Sequence, residues 1–149
     1  MLFRSHGARE IFVGEDRGDV VQFARAMVDA GADLVVGSGP HVVRAMELYH
    51  DRLIAYSLGN FATYYGISVE GIRGIAPILQ VHLDDDGRFV SGHIEATTQI
   101  RPAGPSLDPA HGVIELLRTL TDTAFPQGLL SIAQDGSLAR RDGNSSQNR

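Results

Sequence analysis

The chain of 149 residues contains no cysteine, which excludes disulfide bonds and thiolate-bound metal sites. No apolar run approaches the roughly 20 residues that a helix needs to cross a bilayer. An excess of basic charge is also missing: 13 Lys and Arg stand against 18 Asp and Glu, and the net charge is −5. Nucleic acid is therefore not an expected partner. The remaining composition, 43% hydrophobic and 21% charged, is typical of one globular domain with a core.

The two ends of the chain differ in character from its middle. Met1–Ser5 has neither the pattern of a signal peptide nor a helix cap. These five residues are also what the codon ATG encodes when it is followed by the sequencing-adapter string CTC-TTC-CGA-TCT. We therefore expect residues 1–8 to be an artefact or a disordered start, and the natural protein to extend further upstream. Residues 9–139 are expected to form the domain. The polar residues 140–149 are expected to be a disordered tail.

The hydrophobic pattern of the first half predicts a helix followed by strands. Apolar residues recur at helical spacing after Asp19, which we expect to cap a helix that Gly31 ends. The run Asp33–Gly37 lacks alternation and predicts a strand that is covered on both faces. Two more strands are predicted at Met46–Tyr49 and Leu53–Leu58.

The second half predicts a β-hairpin, a helix and a last small hairpin. Alternating residues from Leu79 to Leu83 and the return strand from Phe89 to Ile100 flank an acidic turn. Asp108-Pro109 predicts a helix start with proline at its first position. Residues 129–138 predict the last hairpin. The order of helices and strands indicates the α/β class.

Two predicted strand ends carry polar residues that could form a site. Gly37-Ser38-Gly39-Pro40 follows the buried strand and leads to His41. Ligands bind beyond the carboxyl ends of strands in α/β sheets, and a neutral imidazole is a common metal ligand. One histidine does not make a metal site, so a turn with a hydrogen-bonded histidine is the competing interpretation.

The second strand end repeats this design. Tyr56-Ser57-Leu58-Gly59 is followed by Asn60, whose side chain could bind a phosphate oxygen or a metal. Gly-Asn is also an ordinary turn sequence. The remaining histidines in the body of the chain carry less weight. His82 and His93 lie in alternating strands and are expected to be surface residues rather than ligands. His50 lies in a predicted turn and His111 in the first turn of a predicted helix.

Read as one stretch, residues 29–61, DAGADLVVGSGPHVVRAMELYHDRLIAYSLGNF, resemble the C-terminal signature of the CapA family of bacterial poly-gamma-glutamate capsule synthesis proteins. That family's pattern joins Ala-Gly-Ala-Asp and Gly-His-x-Pro-His-Val to a later Leu-Ile-x-Tyr-Ser-Leu-Gly-Asn-Phe. The resemblance covers about a third of the chain closely. The matching positions are Ala30–Asp33, Gly37, Pro40–Val42, Glu47, Tyr49, Leu53, Ile54 and Tyr56–Phe61.

The resemblance implies the C-terminal part of a metallophosphatase-like α/β/β/α sandwich. The Pro40-His41 turn is similar to the last histidine motif of calcineurin-like phosphoesterases. By that likeness His41 is a metal ligand, and Gly37, Ser38, Gly39 and Asn60 lie near the site or bind substrate. The cofactor would be a divalent ion, Mn, Zn, Fe or Mg, that activates water for phosphoester hydrolysis.

The chain departs from the family pattern in two ways. Ser38 or Gly39 stands where the family often has a histidine, and the family's N-terminal motifs are absent. The resemblance therefore implies a C-terminal portion of a metal-dependent hydrolase of capsule or poly-gamma-glutamate synthesis, which alone would be inactive on generic phosphodiesters. It also implies an extracytoplasmic or membrane-associated location in bacteria, with the envelope polymer or its synthesis machinery as partner.

Two other hypotheses stay open. The loss of a histidine at 38 or 39 favours a non-catalytic envelope module that kept the fold and binds polymer or assembly partners. An α/β binding domain with a chance motif is the third. Metal content with and without His41 distinguishes the enzyme from the module.

Overall fold

The computed structural model describes residues 2–4, 9–12 and 15–141, with side chains described from Asp19 onward. Two sheets and two helices make up most of these residues, so the predicted α/β class is confirmed. No helix within the described part of the chain is long and apolar enough to span a membrane.

The first sheet has the strand order β1-β4-β6-β5. Its strands are β1 (Leu2–Arg4), β4 (Leu34–Ser38), β5 (Met46–Tyr49) and β6 (Arg52–Ala55). β4 runs parallel to both β1 and β6, whereas β5 and β6 form an antiparallel hairpin. β2 (Arg9–Phe12) and β3 (Glu15–Asp19) pair with each other as a separate ribbon.

Helix α1 (Val20–Asp29) begins where the sequence predicts, because the Asp19 carboxylate accepts hydrogen bonds from the backbone N–H groups of Val21 and Gln22. Gly31 follows the helix with a φ of 100°. The helix buries one apolar face on the first sheet. The residues in this contact are Val20, Ala24, Val28, Val35, Ile54 and Tyr56.

The second sheet is antiparallel, with the order β10-β11-β8-β7 and β9 beside β8. Its strands are β7 (Ile75–Leu83), β8 (Phe89–Ile100), β9 (Gly104–Leu107), β10 (Leu130–Ile132) and β11 (Ser137–Arg140). The main core lies between this sheet, the other face of the first sheet and helix α2 (Gly112–Ala124). At about 25 cal/mol per Å² of apolar area, burial of such a core is the main stabilising term.

Helix α2 begins at Gly112, three residues after the predicted first position at Pro109, so the predicted start is wrong. The Asp108 carboxylate does accept hydrogen bonds from Ala110 N and Gly112 N. However, Asp108 N donates to Ala96 O at 2.9 Å, which keeps this residue beside the sheet. The chain must turn before a helix can form, and His111 makes that turn with a φ of 53°.

Other boundaries shift because pairing partners, rather than local pattern, decide them. β6 ends at Ala55, three residues before the predicted end, and Leu58 forms an isolated bridge with Val43. The connector after β8 contains β9, which the sequence does not predict. β11 extends through Arg140, which the prediction assigns to the tail.

The predicted ends of the chain fall partly outside the described residues. Residues 142–149 of the predicted tail, and residues 1 and 5–8 of the predicted start, are not among them. Leu2–Arg4, within the predicted start, pairs with β4. The origin of residues 1–8 stays a prediction.

Candidate functional site

The two polar strand ends meet because β4 and β6 are parallel neighbours. Leu34 pairs with Leu53 and Val36 with Ala55, so both strands deliver their carboxyl ends to the same edge of the sheet. The turn after β4 and the turn after β6 then contact each other directly, as Leu58 N donates to Gly37 O at 3.1 Å. This edge is where α/β proteins place their ligands.

His41 and Asn60 form the centre of this contact. His41 Nδ1 lies 2.9 Å from Asn60 Oδ1, and Asn60 Nδ2 donates to the His41 carbonyl at 3.1 Å and to the Arg73 carbonyl at 3.2 Å. Asn60 is 6% exposed. The structure therefore brings together the two side chains that the sequence singles out.

This arrangement assigns the tautomer of the imidazole. Because Asn60 Nδ2 faces two carbonyls, Oδ1 must face the ring, and an amide oxygen can only accept. His41 Nδ1 therefore carries the proton in the neutral ring, and Nε2 carries the lone pair. Metal-binding histidines commonly donate their second ring N–H to such an oxygen, which fixes the ring orientation.

Backbone geometry explains the two glycines that the turns require. Gly39 has a φ of 151°, which lies in a region open essentially to glycine. Two residues later, His41 has a left-handed φ of 61°. Gly59 has a φ of 69°, and a Cβ there would lie 3.2 Å from Val43 N. The two turns therefore pack closely enough that a side chain at 59 would meet backbone.

A hydroxyl inside this contact holds the turns together. Ser57 Oγ donates to the Val42 carbonyl at 2.8 Å and accepts from Gly59 N at 3.1 Å. The Ser57 carbonyl accepts from Arg44 N at 3.0 Å. Ser57 is fully buried, so its polar atoms serve the turn rather than a ligand.

The remaining predicted site residues lie on β4 or just after it. Gly37 is buried and bonds to the second turn through its carbonyl, as described above. Ser38 is half-buried, ends β4 and pairs in register with Arg4. Gly39 is buried in the turn itself.

Sequence reasoning missed Gln99. Gln99 Nε2 donates to the Asn60 carbonyl at 2.7 Å, and Gln99 Oε1 accepts from Thr63 N at 3.0 Å. A signal was present: Gln99 lies two residues after Thr97 on β8, on the same face of the strand, and both polar side chains are buried. A glutamine at such a position needs partners in the interior.

The donor set around His41 supplies one metal ligand. Between residues 19 and 141, no group of three His, Asp or Glu side chains lies close enough together to hold an ion. The Asn60 oxygen is engaged with the ring, and the neighbouring turn residues are Gly, Ser and Pro. Within the part of the chain that the structure describes, the geometry fits one oriented ligand of a metal site and supplies no others.

An apolar cavity of about 320 Å³ borders the turn through Pro40. Arg44 and Tyr56 line it together with apolar side chains of α1 and the end of α2. Burial raises the pKa of Tyr56, and the negative charge of Glu47 raises it further. The cavity therefore adds a mainly apolar surface to the vicinity of His41.

An ion pair with a buried carboxylate and a partly exposed guanidinium stands on the α1 side of the first sheet. Arg25 Nε and Nη2 donate to the two oxygens of Glu47 at 2.8 and 3.0 Å, and the guanidinium lies 5.0 Å from the centre of the Tyr49 ring. The hydrogen bonds to Glu47 raise the pKa of Arg25. Glu47 and Tyr49 belong to the resembling stretch, and their contacts connect β5 to α1.

Comparison with known proteins finds similarity to a family of bacterial capsule synthesis proteins. Residues 15–65 match the family model described as bacterial capsule synthesis protein PGA_cap. PGA biosynthesis protein CapA of Bacillus subtilis (strain 168) is 45% identical over 76 residues, which are 51% of this chain and 18% of that protein. Capsule biosynthesis protein CapA of Bacillus anthracis is 44% identical over 67 residues, 45% of this chain and 16% of that protein.

A protein of Sinorhizobium fredii (strain NBRC 101917 / NGR234) that is named only as uncharacterized is 46% identical over 61 residues, 40% of this chain and 13% of its own length. The chain thus spans less than a fifth of these relatives. The family match includes both strand ends, and with them His41 and Asn60.

Proposed function

We propose that this chain, which belongs to the CapA family of bacterial capsule synthesis proteins, takes part in the synthesis of a capsule or poly-gamma-glutamate polymer of the cell envelope. Two relatives carry this role in their names. An extracytoplasmic or membrane-associated location, with the envelope polymer or its synthesis machinery as partner, follows from the same proposal.

Within that role, we propose that His41 Nε2 is a ligand of a divalent metal ion in a phosphoesterase-type hydrolase. The hydrogen bond from His41 Nδ1–H to Asn60 Oδ1 carries this proposal, since it fixes the tautomer and aims the lone pair of Nε2. A divalent ion bound there, Mn, Zn, Fe or Mg, would supply an activated water molecule. Asn60 holds the ring and is not itself a ligand in this proposal.

The proposal requires further ligands from outside residues 19–141, because the described residues supply one imidazole. A single ligand binds a metal weakly and does not clamp a phosphoryl group. We therefore expect no manganese-dependent hydrolysis of generic phosphodiesters by this chain. Robust turnover that His41→Ala abolishes would contradict this expectation.

The test of His41 as a ligand uses paramagnetic line broadening by Mn²⁺. In the histidine ring spectrum of the 149-residue chain, we expect the His41 signal to broaden at lower Mn²⁺ concentrations than the other histidine signals. His41→Ala should remove this preferential broadening. His82→Ala is the matched control, because His82 is exposed on β7, and it should leave the preference intact.

A second function is favoured by the loss of one imidazole of the related pattern, at Ser38 or Gly39. In that case the chain is a non-catalytic envelope module that binds polymer or assembly partners. Equal broadening of all histidine signals, unchanged by His41→Ala, would favour this module over the metal-dependent hydrolase.

A further inference from the structure

We propose that Gln99 is a positioning residue that holds the His41 imidazole in its Nδ1–H tautomer by fixing Asn60. The inference deepens the proposed function, since the oriented ring is the proposed metal ligand. Gln99 does not touch the ring, and it lies outside the residues 15–65 that the family model matches. Its contacts come from β8, a strand of the second sheet.

The Gln99 side chain makes two hydrogen bonds of opposite sense. Its Nε2 donates to the Asn60 carbonyl at 2.7 Å, and its Oε1 accepts from Thr63 N at 3.0 Å. Gln99 is 5% exposed, so water does not readily replace either partner. Only an uncharged amide of this length supplies both a donor and an acceptor here, because glutamate lacks the donor and asparagine is one methylene shorter.

Gln99 also holds the other end of the loop that runs from Asn60 to Gly74. Its backbone N–H donates to the Gly74 carbonyl at 2.8 Å. Asn60 Nδ2 closes the loop from the inside by donating to the Arg73 carbonyl at 3.2 Å. Gln99 therefore connects both ends of the segment from Asn60 to Gly74 to one rigid strand.

The consequence for His41 follows from the geometry of Asn60. Asn60 Oδ1 accepts from His41 Nδ1 only while Asn60 Nδ2 faces the two carbonyl groups to which it donates. Without Gln99, the Asn60 carbonyl loses its donor in the interior, and the loop must move to find another. A displaced Asn60 no longer presents Oδ1 to the ring, and the tautomer is then no longer enforced.

The test is the tautomer of His41 in the neutral ring, observed by long-range proton–nitrogen NMR correlation on the 149-residue chain. We expect the Nδ1–H form to dominate in the parent protein. In Gln99→Leu, the Nδ1–H form should lose its dominance and give the tautomer mixture of a solvent-exposed imidazole. A parent ring that is mainly Nε2–H would overturn the proposal.

Thr97→Val is the matched control for general damage to β8. Thr97 is buried two residues from Gln99 on the same strand, and its hydroxyl donates to the Ala76 carbonyl at 2.8 Å, away from the loop. We expect this variant to lower the melting temperature while leaving the His41 tautomer unchanged. A tautomer change of equal size in Thr97→Val would show that Gln99 acts only through stability.

Gln99→Glu keeps the test decisive if Gln99→Leu does not fold. Its carboxylate can accept from Thr63 N and cannot donate to the Asn60 carbonyl, so the Nδ1–H form should again lose its dominance. An unchanged tautomer in a folded Gln99 variant would overturn the proposal. If the tautomer responds but Mn²⁺ does not select His41 in the parent protein, the positioning role stands and the proposed metal function fails.

Discussion

Breaking the ion pair between Arg25 and Glu47 should cost more stability when the arginine is removed than when the glutamate is removed. Glu47 is 4% exposed, whereas the Arg25 side chain is 40% exposed. Arg25→Met leaves a carboxylate in the interior without its two hydrogen bonds. Glu47→Met instead leaves a guanidinium that water can still reach.

The magnitude follows from these two exposures. Loss of one partner of a fully buried pair costs roughly 3–5 kcal/mol. Because Arg25 is partly hydrated, we expect Arg25→Met to lower the free energy of unfolding by about 3 kcal/mol, at the lower end of that range. Glu47→Met should cost about 1 kcal/mol, since the arginine loses its bonds but remains hydrated. The double variant should lie close to Glu47→Met, because no buried charge remains.

Urea unfolding followed by far-ultraviolet circular dichroism measures these free energies, since the chain has no tryptophan to report by fluorescence. For a domain of this size, the expected loss for Arg25→Met corresponds to a drop in melting temperature of roughly 6–12 °C.

Arg88→Met is the control for the loss of an arginine from an exposed pair. Arg88 contacts Asp84 and Asp86 at the exposed hairpin turn, and we expect a cost below about 1 kcal/mol. Equal costs for Arg25→Met and Arg88→Met would refute the reasoning. A larger cost for Glu47→Met than for Arg25→Met would refute it as well.

Two further predictions concern the contacts between elements. Gly59→Ala should lower the free energy of unfolding by about 1–3 kcal/mol, because a Cβ would meet the backbone of Val43 and because φ 69° is strained for alanine. Gly71→Ala is the control, since its φ of 57° carries the same strain but a Cβ there meets open space, and it should cost about 1 kcal/mol. Equal melting temperatures for these two variants would argue against close packing of the turns. Thr121→Val should cost about 1–3 kcal/mol, because Thr121 Oγ1 accepts from the buried Met46 N at 3.1 Å; Thr121→Ser keeps that acceptor and should cost less in the same thermal unfolding measurement.

Local signals predicted those elements whose stabilising contacts are close in sequence. The start of α1 was predicted because Asp19 caps it through residues two and three positions away. The acidic hairpin turn was predicted for the same reason, since Gly87 N donates to Asp84 O within it. The start of α2 was not, because Asp108 is held beside the second sheet by Ala96, a residue twelve positions earlier.

The candidate site likewise has a part that local sequence predicts and a part that depends on contacts distant in the chain. The motif at Pro40-His41 and the motif that ends at Asn60 are visible in the sequence, and they also carry the family resemblance. Their direct contact is not visible, because it depends on the parallel pairing of β4 with β6. Gln99 was missed because its partners lie 36 and 39 positions away in the chain.

The sequence by itself determined the α/β class, the helix cap, the turn positions and the identity of the two residues at the centre of the site. These follow from composition, periodicity and short-range hydrogen bonds, which depend on neighbours in the chain. Only the tertiary structure decided that Asn60 sets the tautomer of His41 and that Glu47 is paired with Arg25. Those contacts depend on which strands are adjacent and which side chains are buried, and both are set by the packing of the whole core.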